Sequence, residues 1–161
     1  MENSEVDDVY KSISAAKRLV VLIPDSELDE TILGRQVWNL ALPGQKSVVL
    51  LSAAQNLDEE LRAIHRLTQI VAVANDPRFH IESIVRFQSG WIRAIKSIYK
   101  PGDLILCFES HKIPFRIFWH QSIQSFIEDH LKIPVYTFPK TIEPALIITG
   151  HRITVRESKG I

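Results

Sequence analysis

Residues 17–54 read KRLVVLIPDSELDETILGRQVWNLALPGQKSVVLLSAA, and this segment carries a strand, a helix and a second strand. Leu19 to Ile23 is a continuous apolar run closed by Pro24, which is typical of a short buried strand. The helical period then appears in Ile32, Leu33, Val37 and Leu40. Pro43 and Gly44 stop that pattern, and Val48 to Leu51 starts the next strand. The segment therefore predicts one strand, helix, strand unit.

The same unit recurs along the chain. Further strands are predicted at Phe79 to Phe87, Leu104 to Phe108 and Val135 to Phe138, each preceded by a helical pattern. The strands are almost continuously apolar, as a parallel sheet covered on both faces requires. Right-handed crossovers between them predict an α/β fold, a three-layer sandwich with a five-stranded parallel sheet.

The helix after the second strand has its own start signal and apolar stripe. Asn56, with Glu59 three residues later, forms a capping pattern. The stripe expected to face the sheet consists of Leu57, Leu61, Ile64, Leu67 with Thr68, and Val71. This helix is therefore predicted to pack along the whole of that stripe.

Two segments flank the repeated units, which occupy residues 17–139. Residues 1–16 carry apolar side chains at helical spacing and are predicted to form a leading amphipathic helix. Residues 140–161 contain two β-like runs around Gly150 and His151, which predict either a hairpin or strands given to a neighbouring chain.

Composition narrows the function classes. The chain has 161 residues, 45% of them hydrophobic, with 19 basic and 19 acidic side chains. This apolar content predicts a folded domain, and the zero net charge disfavours nucleic-acid binding through phosphate neutralisation. No apolar run is long enough to cross a membrane, and the acidic N-terminus is unlike an export signal. With Cys107 as its single cysteine, the chain is expected to be cytoplasmic.

The C-terminal third resembles the universal stress protein family. That family carries Asp-Leu-Ile-Val-x-Gly-x-x-Gly, nine residues, Gly-Ser, and a final Pro-Val strand. Residues 103–135, DLILCFESHKIPFRIFWHQSIQSFIEDHLKIPV, fit this frame without a gap. Residues 20–27 look like the family's first strand and its Asp-x-Ser turn. The resemblance implies the adenine nucleotide α-hydrolase-like fold, with strand order 3-2-1-4-5.

The resemblance also locates a nucleotide-binding loop, and this chain departs from it. The family's glycines let backbone N–H groups approach the phosphates of ATP. Those positions hold Phe108, His111 and Gln121 here, while Ser122 and Asp25 keep the family's residue. The bulky side chains predict that nucleotide binding is lost or altered, so no cofactor is expected.

Other candidate residues have simpler interpretations. Asp25 is interpreted as the cap of the next helix, and Ser122 as a small packed residue, with a ligand contact as the alternative for each. Lys112 and Arg116 could form a basic surface for an anionic ligand together with Arg86, Arg93, Lys96 and Lys100, although a solvated helix face explains most of these side chains equally well.

The histidines and the cysteine do not form a recognisable catalytic motif. His111, His120 and His130 lie nine and ten residues apart, which is not the spacing of a helical metal-binding pair, and Cys107 lies within an apolar strand. These patterns predict surface histidines, a buried thiol and no enzyme.

The predicted function is a non-catalytic, universal-stress-protein-like regulatory or interaction domain. The family commonly pairs through the edge beyond the fifth strand, so a homodimer through that strand and the C-terminal tail is expected. The first alternative is a protein that binds ATP, AMP or another anion between strands one and four, through Asp25, Lys112, Arg116 and Ser122. The second alternative is an enzyme of the same fold class, and it is disfavoured because the sequence contains no phosphate-binding motif.

Overall fold

The computed structural model describes residues 2–25, 29–108 and 123–138. These residues form five helices and five strands. In chain order they are α1 (Glu2–Ala15), β1 (Arg18–Leu22), α2 (Glu30–Ala41), β2 (Ser47–Ala54), α3 (Leu57–Ala74), β3 (Ile81–Phe87), α4 (Trp91–Ile98), β4 (Asp103–Phe108), α5 (Ile123–Leu131) and β5 (Val135–Phe138).

The strands form one parallel sheet in the order β3-β2-β1-β4-β5. In the middle of this sheet Leu19 pairs with Val48 on one side and with Leu104 on the other. One face of the sheet is covered by α1, α2 and α3, and the other face is covered by α4 and α5. The three-layer α/β fold and the strand order 3-2-1-4-5 are therefore confirmed.

Alternating strand side chains supply two separate cores. On one face, Val21 and Leu50 pack with side chains of α1, α2 and α3. On the other face, Val20, Leu51 and Cys107 pack with α4 and α5. Because a strand turns successive side chains to opposite faces, nearly every residue of a central strand is buried. This explains the continuous apolar runs of the sequence.

Helix α1 belongs to the first of these layers. Its Ile13 is buried in the core, and Ser12 Oγ donates a hydrogen bond to the hydroxyl oxygen of Tyr136 on β5 at 3.0 Å. Burial also raises the pKa of Tyr10 to about 12. The predicted leading helix is confirmed, and its packing places it over the β5 side of the sheet. The division into segments at residues 16 and 139 stays a prediction.

A buried acid fixes the turn between α3 and β3. Asp76 accepts hydrogen bonds from the Trp38 indole Nε1 at 2.9 Å and from Arg78 Nη2 at 2.7 Å. The Arg78 side chain, then its backbone N–H and Trp38, hold the pKa of Asp76 well below its usual range. This contact ties the base of β3 to α2. Among the described residues, no helix is long and apolar enough to span a bilayer.

Candidate functional site

The carboxyl ends of β1 and β4 meet where the strand order reverses, which is the usual ligand position in open α/β sheets. β1 continues into Ile23, which is buried, and Ser52 Oγ of β2 donates to its carbonyl oxygen at 2.6 Å. Pro24 then turns the chain out of the sheet, and Asp25 follows in solvent. The predicted location of Asp25 at this edge is confirmed.

The predicted capping role of Asp25 is wrong. Helix α2 begins at Glu30, and its N-cap is Asp29, whose carboxylate accepts from the backbone N–H groups of Thr31 and Ile32 at 2.8 and 3.2 Å. A cap must directly precede the first helical turn, and Asp25 lies too far upstream. Its side chain is 64% exposed and lies 3.4 Å from Arg62 Nη2 of α3.

The ion pair between Asp25 and Arg62 bears on ligand binding. Both side chains are more than half exposed, so the pair contributes little to folding stability. It does place a cation from α3 beside the one candidate carboxylate that the structure describes. A ligand that binds Asp25 would have to compete with Arg62.

The remaining candidate residues come at the end of β4 or after it in the sequence. Phe108 is the last residue of β4, where its backbone pairs with Phe138 of β5. Five other predicted site residues lie outside the described residues, namely His111, Lys112, Arg116, Gln121 and Ser122. Their roles stay predictions.

Helix α4 carries the described part of the predicted basic surface. Arg93, Lys96 and Lys100 are exposed, as expected for a solvated helix face and the turn after it. Arg86, on β3, donates from Nε to Ser97 Oγ at 2.9 Å. Because β3 is an edge strand, Arg86 lies at the edge of the sheet, where it contacts α4.

The described residues contain no group of three or more metal-ligating side chains. The Cys107 side chain is only 1% exposed, so the predicted buried cysteine is confirmed. His130 lies on the exposed surface of α5, also as predicted.

Helix α3 differs most from the sequence prediction. Its start is as predicted, since the Asn56 side chain accepts from the Glu59 N–H at 2.9 Å. The predicted core stripe is wrong over the first two turns of α3, because the residues expected in the core are among the most exposed apolar side chains of the described residues. They are Leu57 at 61%, Leu61 at 57% and Ile64 at 46%. The core face of α3 is instead formed by Leu67, Ile70 and Ala74.

The exposed residues Leu57, Leu61 and Ile64 form a surface that we call the α3 stripe. Nine residues are two and a half helical turns, so Leu57 lies opposite Arg66 on the helix, and Ile64 lies opposite Val73. Both of those opposite residues face α2: Arg66 pairs with Glu30 at 3.6 Å, and Val73 packs against Gly34. The α3 stripe therefore faces away from α2, towards the β3 edge of the sheet.

Phe87 extends this exposed apolar surface at the end of β3. It is 45% exposed. Residues at even separations in a strand share a face, so Phe87 lies on the same side of the sheet as Val85, which packs against the core beneath α3. A surface of this kind, larger than isolated apolar residues produce, is typical of an interaction site. The second apolar period of α3, through Ala63, Leu67, Ile70 and Ala74, was the sequence signal that one of two stripes is left exposed.

Comparisons with family models, curated proteins and solved structures find no match to this chain. The likeness to the universal stress proteins therefore stays a prediction from the sequence, beside a confirmed fold class.

Proposed function

We propose that this protein is a non-catalytic regulatory or interaction domain of the universal-stress-protein type, with nucleotide binding lost or altered. The observation that carries the proposal is the α3 stripe, which leaves Leu57, Leu61 and Ile64 exposed along one side of a well-packed core. A folded domain that keeps such a surface in water gains stability when a partner covers it.

Two features support the loss of nucleotide binding. The glycine positions of the family's nucleotide-binding motif correspond here to Phe108, His111 and Gln121, and each of these adds a side chain where the family's backbone N–H groups approach phosphates. At the carboxyl end of β1, Asp25 is paired with Arg62. Both features weaken the site that a nucleotide would need.

The alternative function is binding of ATP, AMP or another anion in the crevice between β1 and β4. It is supported by the position of Asp25 at the carboxyl end of β1, and it would use Lys112, Arg116 and Ser122 in place of a glycine loop. It requires that Arg62 release Asp25 or share it with the ligand.

A thermal-shift titration separates the two functions, because a ligand that binds only the folded state raises its melting temperature. We expect no saturable shift with ATP or AMP, with or without Mg²⁺. A shift that saturates in the wild type and is lost in Asp25→Ala would contradict the proposal, with Asp58→Ala as the matched surface control. Replacing Phe108, His111 and Gln121 together by Gly is expected to create nucleotide affinity.

The proposed role needs a partner, and the sequence predicts a second copy bound through β5 and the tail. Val135–Phe138 pairs with β4, and residues 139–161 lie outside the part of the chain that the structure describes. Dimerisation through this edge stays a prediction. Light scattering on the full chain and on a chain ending at Pro139 tests it, since only the full chain is expected to retain that contact.

A further inference from the structure

The other edge of the sheet has an open hydrogen-bonding side. Within the described residues β3 pairs only with β2, through the register that joins Val48 to Ile81. The Val48 N–H donates to the His80 carbonyl at 2.9 Å, so the peptide groups of even-numbered residues in β3 turn towards β2. Those of odd-numbered residues, Ser83 and Val85 among them, turn to the free side.

The sequence of β3 is complementary to itself in an antiparallel pairing. Residues 81–87 read IESIVRF, and their centre is Ile84. In a two-fold pairing about Ile84, Glu82 of one chain lies opposite Arg86 of the partner subunit, and Ser83 lies opposite Val85. The open peptide groups of Ser83 and Val85 then meet each other, as an antiparallel ladder requires.

The charged pairs fall at the closest positions of that ladder. Glu82 and Arg86 belong to the non-hydrogen-bonded pairs, in which opposing Cα atoms are about 4.5 Å apart. Glu82 is exposed, and Arg86 is held at the edge through Ser97 by one of its five N–H donors. The two-fold axis creates this ion pair between Glu82 and Arg86 twice. A shift to the next compatible register would place Glu82 opposite Ile84 and lose both ion pairs.

The α3 stripe fits the same arrangement. A two-fold axis perpendicular to the sheet keeps the two α3 helices on one face, each beside the axis. α3 packs over β2 and β3, and neighbouring strands are about 4.8 Å apart, so the two helix axes would lie roughly 10 Å apart. This is the spacing of directly packed helices. The two α3 helices would run antiparallel, because each runs from the carboxyl ends of its strands towards the amino ends. Ile64 lies nearest the axis, while Leu57 and Leu61 would face the C-terminal half of the partner subunit's α3.

We propose that two copies of this chain associate through antiparallel pairing of their β3 strands about Ile84, with the two α3 helices side by side and each α3 stripe facing the partner's α3. This proposal rests on the proposed function, because it identifies the partner that covers the α3 stripe as a second copy of the chain. It differs from dimerisation through β5 and the tail, because it uses the opposite edge of the sheet. It gives a continuous ten-stranded sheet across the two-fold axis.

Charge exchange tests the proposal, with sedimentation velocity of the full chain as the measurement. The wild type is expected to be a dimer at high concentration. Arg86→Glu and Glu82→Arg each place like charges opposite each other at both pairs, and each should weaken dimerisation at least about tenfold. The double variant Glu82→Arg/Arg86→Glu restores opposite charges and should return the dissociation constant to near the wild-type value.

Two further variants complete the test. Arg35→Glu makes the same change of charge on the exposed surface of α2 and should leave dimerisation unchanged. Ser83→Pro removes an N–H that the β2 ladder does not use, so circular dichroism should show a folded chain while dimerisation is lost.

Three results would overturn the proposal. The first is a wild type that stays monomeric, as expected if the tail of the same chain or an unrelated partner covers β3. The second is association that neither single charge reversal weakens, which would assign all of it to another surface. The third is a double variant as weak as the singles. Nucleotide binding is measured separately, so a saturable ATP shift would contradict the proposed function while leaving this dimer intact.

Discussion

Arg18 and Asp103 form a two-point ion pair between the first residues of two neighbouring strands, β1 and β4. Arg18 Nε lies 3.0 Å from Asp103 Oδ1, and Nη2 lies 2.6 Å from Oδ2. The same Nη2 also donates to the Ile98 carbonyl at 2.7 Å, and the carboxylate raises the pKa of Arg18. This pair fixes the base of the sheet where the strand order reverses.

Loss of this pair should destabilise the fold. Asp103 is only 3% exposed in its side chain, so Arg18→Met leaves a buried carboxylate without its main partner, at a cost of about 3 kcal/mol in the free energy of unfolding. Urea unfolding followed by circular dichroism measures it. Lys11→Met, exposed on α1, is the control and should change that free energy by less than about 0.5 kcal/mol. Equal effects of the two substitutions would contradict the assignment.

Acid sensitivity should depend on Asp76. Its pKa is lowered in the folded state, so it contributes stability above the unfolded-state pKa of about 3.9, and that stability is lost as pH falls towards the folded-state pKa. Asp76→Asn should therefore be less stable than the wild type at neutral pH and lose less stability on acidification. Melting temperatures measured across this range test it. Asp58→Asn, on exposed α3 surface, should keep the wild-type pH dependence, and an unchanged profile in Asp76→Asn would refute the role.

The contact between α2 and α3 should tolerate no added atom at Gly34. A Cβ there would lie 2.5 Å from Val73 Cβ and 3.1 Å from the Ile70 carbonyl oxygen. We expect Gly34→Ala to lower the free energy of unfolding by about 1–3 kcal/mol despite the better helix propensity of Ala. Arg35→Ala, exposed on the same helix, is the control. A more stable Gly34→Ala would show that the helices separate easily.

The two stripes of α3 should respond differently to truncation. Leu67 is 1% exposed, so Leu67→Ala should cost about 2–5 kcal/mol of the free energy of unfolding. Leu61 is 57% exposed, so in the Arg86→Glu background, where the β3 pairing is expected to be lost, Leu61→Ala should cost less than about 0.5 kcal/mol. Similar losses of unfolding free energy in the two variants would contradict the assignment of Leu61 to the exposed surface.

The sequence predicts the fold of this chain better than its surface. The central strands lie between two helical layers, so every residue from Leu19 to Ile23 is apolar and the run is easy to recognise. The start of α3 is equally clear, because Asn56 and Glu59 act within a few residues of each other. Local signals of this kind need no knowledge of tertiary packing.

The α3 stripe could not be predicted in the same way. Helix α3 has two apolar periods that share Leu67, and only the position of α2 decides which of them faces the sheet. The contact between Val73 and Gly34 fixes that rotation, and it joins residues far apart in sequence. For the same reason Asp25 is predicted to be a local cap, while its contact is with Arg62 on α3, the third element after it.

Amide hydrogen exchange within β3 can detect the antiparallel β3 pairing residue by residue, because each peptide N–H of the open edge is measured separately. The Ile84 N–H belongs to the β2 ladder and should exchange slowly at every protein concentration. The N–H groups of Ser83 and Val85 face the free side, and we predict that they exchange quickly in dilute protein and slow down as concentration rises and the dimer forms. If the Ser83 and Val85 N–H groups still exchange quickly in a solution that sedimentation shows to be dimeric, the β3 pairing is contradicted.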